Sequence, residues 1–142
     1  MQATVKWTDG LMFLGESGSG HTVVMDAPES LGGRDMGLRP MELLLLGVGG
    51  CSSFDVINML KKARQKVVDC RVELSAERAD AVPAVFTAIK LHFVVTGIDL
   101  KESQVKRAVE LSAEKYCSAS IMLASASVDI SHDYEIVAFV PE

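Results

Sequence analysis

The segment from Met41 to Leu60 is the densest apolar run in the chain, and a proline precedes it. Pro40 suits the first position of a helix, where its missing N–H costs nothing. Leu43, Leu44, Leu45, Leu46, Val48, Phe54, Val56, Ile57, Met59 and Leu60 then cover nearly every face of a helix that should run to about Val67. A helix apolar on all sides is a buried one. The cations near its end, Lys61, Lys62, Arg64 and Lys66, suit the negative pole of the helix dipole. Gly47, Gly49 and Gly50 each weaken a helix by up to about 1 kcal/mol, which predicts a kink or very close packing there. A membrane-spanning helix needs roughly 20 largely uncharged apolar residues. Glu42, Asp55, Asn58 and the three glycines argue against that reading.

Around this helix the periodicity changes. Ala3, Val5 and Trp7 alternate with polar residues, Asp9-Gly10 is a hairpin signal, and Leu11–Glu16 and His21–Asp26 complete three short strands. Residues 27–39, with Pro28, Gly32, Gly33 and Gly37, read as a loop. After the helix, Val72, Leu74 and Ala76, then Ile89, Leu91, Phe93 and Val95, alternate with polar residues. They predict two long antiparallel strands packed on one face. Asp99 and Glu102 form a capping-box pattern for a helix that carries Val105, Ala108, Val109 and Ser112 on one stripe and runs to about Tyr116. Ser118–Ala126 has helical character, and Val128, Ile130, Tyr134 and Ile136 predict a closing hairpin or strand pair. Strands, long helix, strands, helix and strands in that order make an α+β fold, and 142 residues hold one domain, residues 1–142.

The charge of -5 disfavours nucleic acid and anionic membrane as partners. A mean hydropathy of +0.25 is high for so short a soluble chain, so part of the apolar surface is expected to be covered by a second subunit. No apolar run with a small-residue cleavage site opens the sequence, and three cysteines at wide spacing are no disulfide framework; the setting expected is cytoplasmic, with reduced thiols.

Gly15–Gly20 lacks the Gly-Lys-Ser/Thr ending of a phosphate loop and lies between strands, so it reads as a turn. His21, His92 and His132 have no partners at metal-ligand spacing, His132 reads as an exposed strand residue, and no metal is expected. There is no Gly-x-Ser-x-Gly elbow of a serine hydrolase. Cys51 follows Gly49-Gly50 inside the most apolar helix, and Cys117 lies just past another helix. Each reads either as a small buried hydrophobe or as a reactive thiol. Cys70, in an alternating strand, reads as packing.

Pro40-Met-Glu-Leu-Leu-Leu-Leu-Gly-Val-Gly-Gly-Cys51, the Gly32-Gly33 loop before it, and Lys115-Tyr116-Cys117 after it resemble the OsmC/Ohr family of osmotically inducible and organic hydroperoxide resistance proteins, most closely its YhfA-like branch. The resemblance spans essentially the whole chain. It implies an intertwined α+β homodimer, with antiparallel sheets wrapped around long central helices. It also implies thiol peroxidase chemistry on a small hydrophobic peroxide or hydrogen peroxide. Cys51 would be the peroxidatic thiol and Cys117 the resolving one. An external dithiol such as dihydrolipoamide would be the reductant, with no bound cofactor. Peroxidase members carry a glutamate directly after the proline, orienting an arginine of the amino-terminal strands onto the thiolate. Here that position is Met41, Glu42 is the candidate one residue on, and no arginine precedes Arg34, which leaves Lys6, Arg34 and Arg39 as cations. The alternative is a non-peroxidase relative that binds a small lipophilic or thiol-reactive molecule near Cys51.

Overall fold

The structure is a computed structural model and describes residues 1–140. The chain forms two compact units, Met1–Leu44 and Leu45 onward. Among the described residues it is a mixed α+β fold with two three-stranded sheets.

In the first unit β1 (Ala3–Asp9), β2 (Met12–Ser17) and β3 (Thr22–Met25) form an antiparallel meander. Gly10, at φ +54°, makes the first turn, and Trp7 Nε1 donates to its carbonyl at 2.9 Å. Ser17–Gly20 makes the second turn, as its composition predicts. Asp26 then pins the loop that follows. Its carboxylate, buried in this unit, accepts the backbone N–H groups of Ala27, Arg34 and Met36. Gly33 is required by close approach, since a Cβ there would meet the Ala27 carbonyl oxygen at 1.9 Å.

Helix α1 (Pro40–Lys62) opens at the predicted proline and runs unbroken through its three glycines. It stops five residues short of Val67. The backbone leaves the helix at Arg64 (φ +56°), and β4 (Lys66–Arg78) begins. Close packing occurs at one glycine: a Cβ on Gly49 would stand 2.7 Å from Leu74 Cδ1 and 3.3 Å from Val72 Cγ1 of β4, whereas Gly47 and Gly50 face open space. The all-round burial expected of α1 is corrected. Val48, Gly49, Ser52, Val56 and Leu60 are buried on one face, but Leu46 and Phe54 stay 53% and 76% exposed.

Strand β5 (Phe86–Ile98) pairs antiparallel with β4 from Lys66↔Ile98 to Arg78↔Phe86 and turns Ile89, Leu91, Phe93 and Val95 into the core. Burying such a side chain fully is worth about 1.5–3 kcal/mol. Helix α2 (Glu102–Leu111) contributes Val105, Ala108 and Val109. The predicted Asp99 cap does not form: Lys101 is the cap residue, and Asp99 instead takes a left-handed turn at φ +49°. A π-helical turn, Ser112–Tyr116, leads to α3 (Ser118–Ser125). The last strand, β6 (Asp129–Ala138), corrects a second expectation. It is one strand parallel to β5, not a hairpin, and the helices between supply the crossover that parallel pairing needs.

Candidate functional site: a cysteine pair with a carboxylate

Cys117 ends the π-helical turn and caps the amino terminus of α3 in an extended conformation. Its fully buried sulfur accepts three hydrogen bonds, from Ser52 Oγ (3.1 Å), Ser120 Oγ (3.2 Å) and Ser120 N–H (3.4 Å). Ser112 Oγ holds the Ser52 carbonyl at 3.2 Å, so α1, the turn and α3 meet in a buried hydroxyl cluster. Donors and the positive pole of a helix favour a thiolate. Burial acts the other way, but here the Ser120 and Ser52 donors together outweigh it and hold the Cys117 thiol below its ordinary value.

Cys51 lies half-buried on α1, and Asp55 follows it by one helical turn. The two sulfurs and a carboxylate oxygen of Asp55 all lie within 4.8 Å of one another. Burial pushes the Cys51 thiol up, the neighbouring Cys117 and Asp55 charges add to this, and the Ala119 backbone N–H opposes it. Of the two thiols, Cys117 is therefore the one that ionises more readily. Burial also pushes the Asp55 carboxyl up. Asp55 Oδ2 is buried with no hydrogen-bond partner, the one such side-chain atom among the described residues. Asp55 also lines a cavity of about 480 Å³ with Met59, Lys62, Arg107, Leu111 and Tyr116.

Of the residues singled out from the sequence, Cys51 and Cys117 are brought together, and both are free thiols. Glu42 sits in the first turn of α1, where its Oε2 accepts the Arg39 N–H at 2.9 Å. Arg34 pairs with Asp9 at 2.9 Å and Arg39 with Asp35 at 2.6 Å. Cys70 is opposite Val95 in the β4–β5 ladder. His132 is a half-buried residue of β6, and His92 bonds Asp133. A closed structural zinc site takes four ligands; Cys51, Asp55 and Cys117 offer three donor atoms, and two sulfurs this close are equally the reactants of a disulfide. The sequence reading passed over Ser52, Ser120 and Asp55 as functional groups. Their signals were present: a hydroxyl next to one cysteine, a hydroxyl three residues past the other, and a carboxylate in the most apolar helix.

The family model described as OsmC-like protein matches residues 32–133. Protein YhfA of Escherichia coli (strain K12) is 55% identical over 138 residues, covering 97% of this chain and 99% of that one. Among solved structures, a hypothetical protein from Aquifex aeolicus VF5 superposes with a TM-score of 0.84 at 30% identity, covering 98% of this chain and 97% of that one. An organic hydroperoxide resistance protein OsmC from Legionella pneumophila shares the fold, with a TM-score of 0.68 at 16% identity and coverage of 96% and 97%. The chain belongs to the OsmC-like protein family.

Proposed function

We propose that this protein is a thiol-dependent reductase of organic hydroperoxides or hydrogen peroxide, with Cys51 as the peroxidatic and Cys117 as the resolving residue. The observation that carries the reading is the pair of sulfurs within 4.8 Å, one half-buried and one enclosed by donors. Membership of a family with relatives named for hydroperoxide resistance supports it. Cys51 sulfur attacks a peroxide oxygen, the O–O bond breaks, and Cys51 becomes a sulfenic acid as the alcohol leaves. The Cys117 thiolate then attacks that sulfur, a disulfide forms and hydroxide departs to be protonated. A water-shielded sulfur whose thiol is held below its ordinary value suits Cys117 to this second step. An external dithiol such as dihydrolipoamide would return the disulfide to two thiols, with no bound cofactor. A second copy of the chain would cover the apolar face of α1, and the setting would be the cytoplasm.

The test is peroxide loss with cumene hydroperoxide and dihydrolipoamide. Wild type should turn over, Cys51→Ser should be inert, and Cys117→Ser should consume one equivalent and stop at a sulfenic acid. Wild type no faster than Cys51→Ser would overturn the reading. The cavity beside Asp55, walled in part by Met59, Leu111 and Tyr116, favours a second reading, a binding protein for a small lipophilic or thiol-reactive molecule. Under that reading Cys51 would take up one equivalent of an electrophile without turnover.

A further inference from the structure

We propose that Asp55 relays the proton between Cys51 and the leaving oxygen of the peroxide. The inference rests on the peroxidase reading and concerns the proton that its first step must move. Three observations carry it. An Asp55 carboxylate oxygen lies within 4.8 Å of both sulfurs. Its Oδ2 is buried and has no partner, and a buried polar atom without one is rare and costly. Asp55 also lines the cavity, together with Met59, Leu111 and Tyr116. The Cys117 sulfur, by contrast, already accepts three donors and is closed to solvent, so it is poorly placed to hand a proton to a departing alkoxide. Lys62 of α1, Arg107 of α2 and Tyr116 line the same cavity, and Cys51 and Cys117 also face the carboxylate.

The step balances as follows. The Cys51 proton passes to the Asp55 carboxylate while the sulfur lone pair forms a bond to one peroxide oxygen. The O–O bond breaks, and Asp55 gives the same proton to the leaving alkoxide. The products are Cys51 sulfenic acid, one alcohol (water from hydrogen peroxide) and the original carboxylate. Sulfur loses two electrons and the peroxide gains them. Burial that raises the Asp55 carboxyl makes it a stronger base toward the Cys51 proton.

Asp55→Asn keeps the shape and removes the relay. Three single-turnover rates on fully reduced protein separate a relay from a structural role: reaction with cumene hydroperoxide, reaction with peracetic acid, and alkylation of Cys51 by iodoacetamide followed by peptide mass. The hydroperoxide needs its leaving oxygen protonated, while acetate and iodide leave without a proton. Asp55→Asn should slow the hydroperoxide by on the order of 10²-fold or more. It should slow peracetic acid and alkylation far less, by the loss of a base for the Cys51 proton alone. Equal slowing of all three, or an unchanged hydroperoxide rate, overturns the relay while an active wild type keeps the peroxidase reading. A wild type that reacts with neither peroxide overturns both.

Discussion

At the scale of single residues, the two cysteines are pushed in opposite directions, and stability should record it. Cys117 is lowered in the folded protein because the Ser120 and Ser52 donors outweigh burial. Between that lowered value and the ordinary thiol value of about 8.5, the unfolded chain holds a proton the folded one has lost, so stability rises with pH across this window. Cys51 is raised by burial and by Cys117 and Asp55, and Cys70 by burial and Asp69. Above the ordinary thiol value the unfolded chain ionises these two first, so stability falls. Urea midpoints of the reduced protein should therefore rise and then fall with pH, relative to a variant lacking all three thiols. Cys117→Ala should remove the rising limb and, because the Cys117 charge helps raise Cys51, lessen the falling one. A rising limb that survives Cys117→Ala would show that some other group carries it. Removing a donor acts in the same place: Ser120→Ala should move the Cys117 thiolate absorbance near 240 nm to higher pH. It should also cost about 1.5–3 kcal/mol above that transition, the worth of a hydrogen bond to a charged group.

At the scale of elements, Gly49 separates two effects that act together in α1. Glycine in a helix costs up to about 1 kcal/mol against alanine. At Gly47 a Cβ meets nothing of its own chain within 4 Å, so Gly47→Ala should stabilise the separate subunit by up to that amount. At Gly49 the new methyl would press Leu74 Cδ1 and Val72 Cγ1, and overpacking of this kind costs about 1–3 kcal/mol. Gly49→Ala should therefore be neutral to destabilising, read as a lower urea midpoint than Gly47→Ala. Local pattern carried much of the fold. Pro40 marked the start of α1, and the alternation of Val72–Ala76 and Ile89–Val95 marked β4 and β5. Alternation is the same in parallel and antiparallel strands, however, so the direction of β6 was not legible from Ile130, Tyr134 and Ile136. Asp99 had the residue type of a cap, but its backbone turns left-handed and points the chain elsewhere. The site was legible as two cysteines in a motif. That Ser52 and Ser120 would converge on Cys117 depends on how α1 meets α3, which no periodicity encodes.

At the scale of the molecule, the apolar excess in the sequence reappears as an uncovered face of α1. Leu46 and Phe54 are exposed, and Gly50, Ser53, Ile57 and Lys61 flank Phe54 along a groove. A single chain gains nothing from this arrangement, whereas a second copy with the same helix would bury the face against itself. A two-fold contact uses each residue twice. Replacing Phe54 with aspartate thus forfeits the burial of two aromatic rings, about 1.5–3 kcal/mol each, and sets two like charges in the contact. The proposed dimer should weaken by on the order of 10²-fold or more, since each 1.4 kcal/mol is tenfold. Sedimentation equilibrium should find wild type at twice 15.3 kDa and Phe54→Asp at 15.3 kDa. Phe54→Ala, with no new charge, should fall between them, and an unchanged circular dichroism spectrum should accompany both variants. If wild type itself sediments at 15.3 kDa at micromolar concentration, a second copy is not what covers α1.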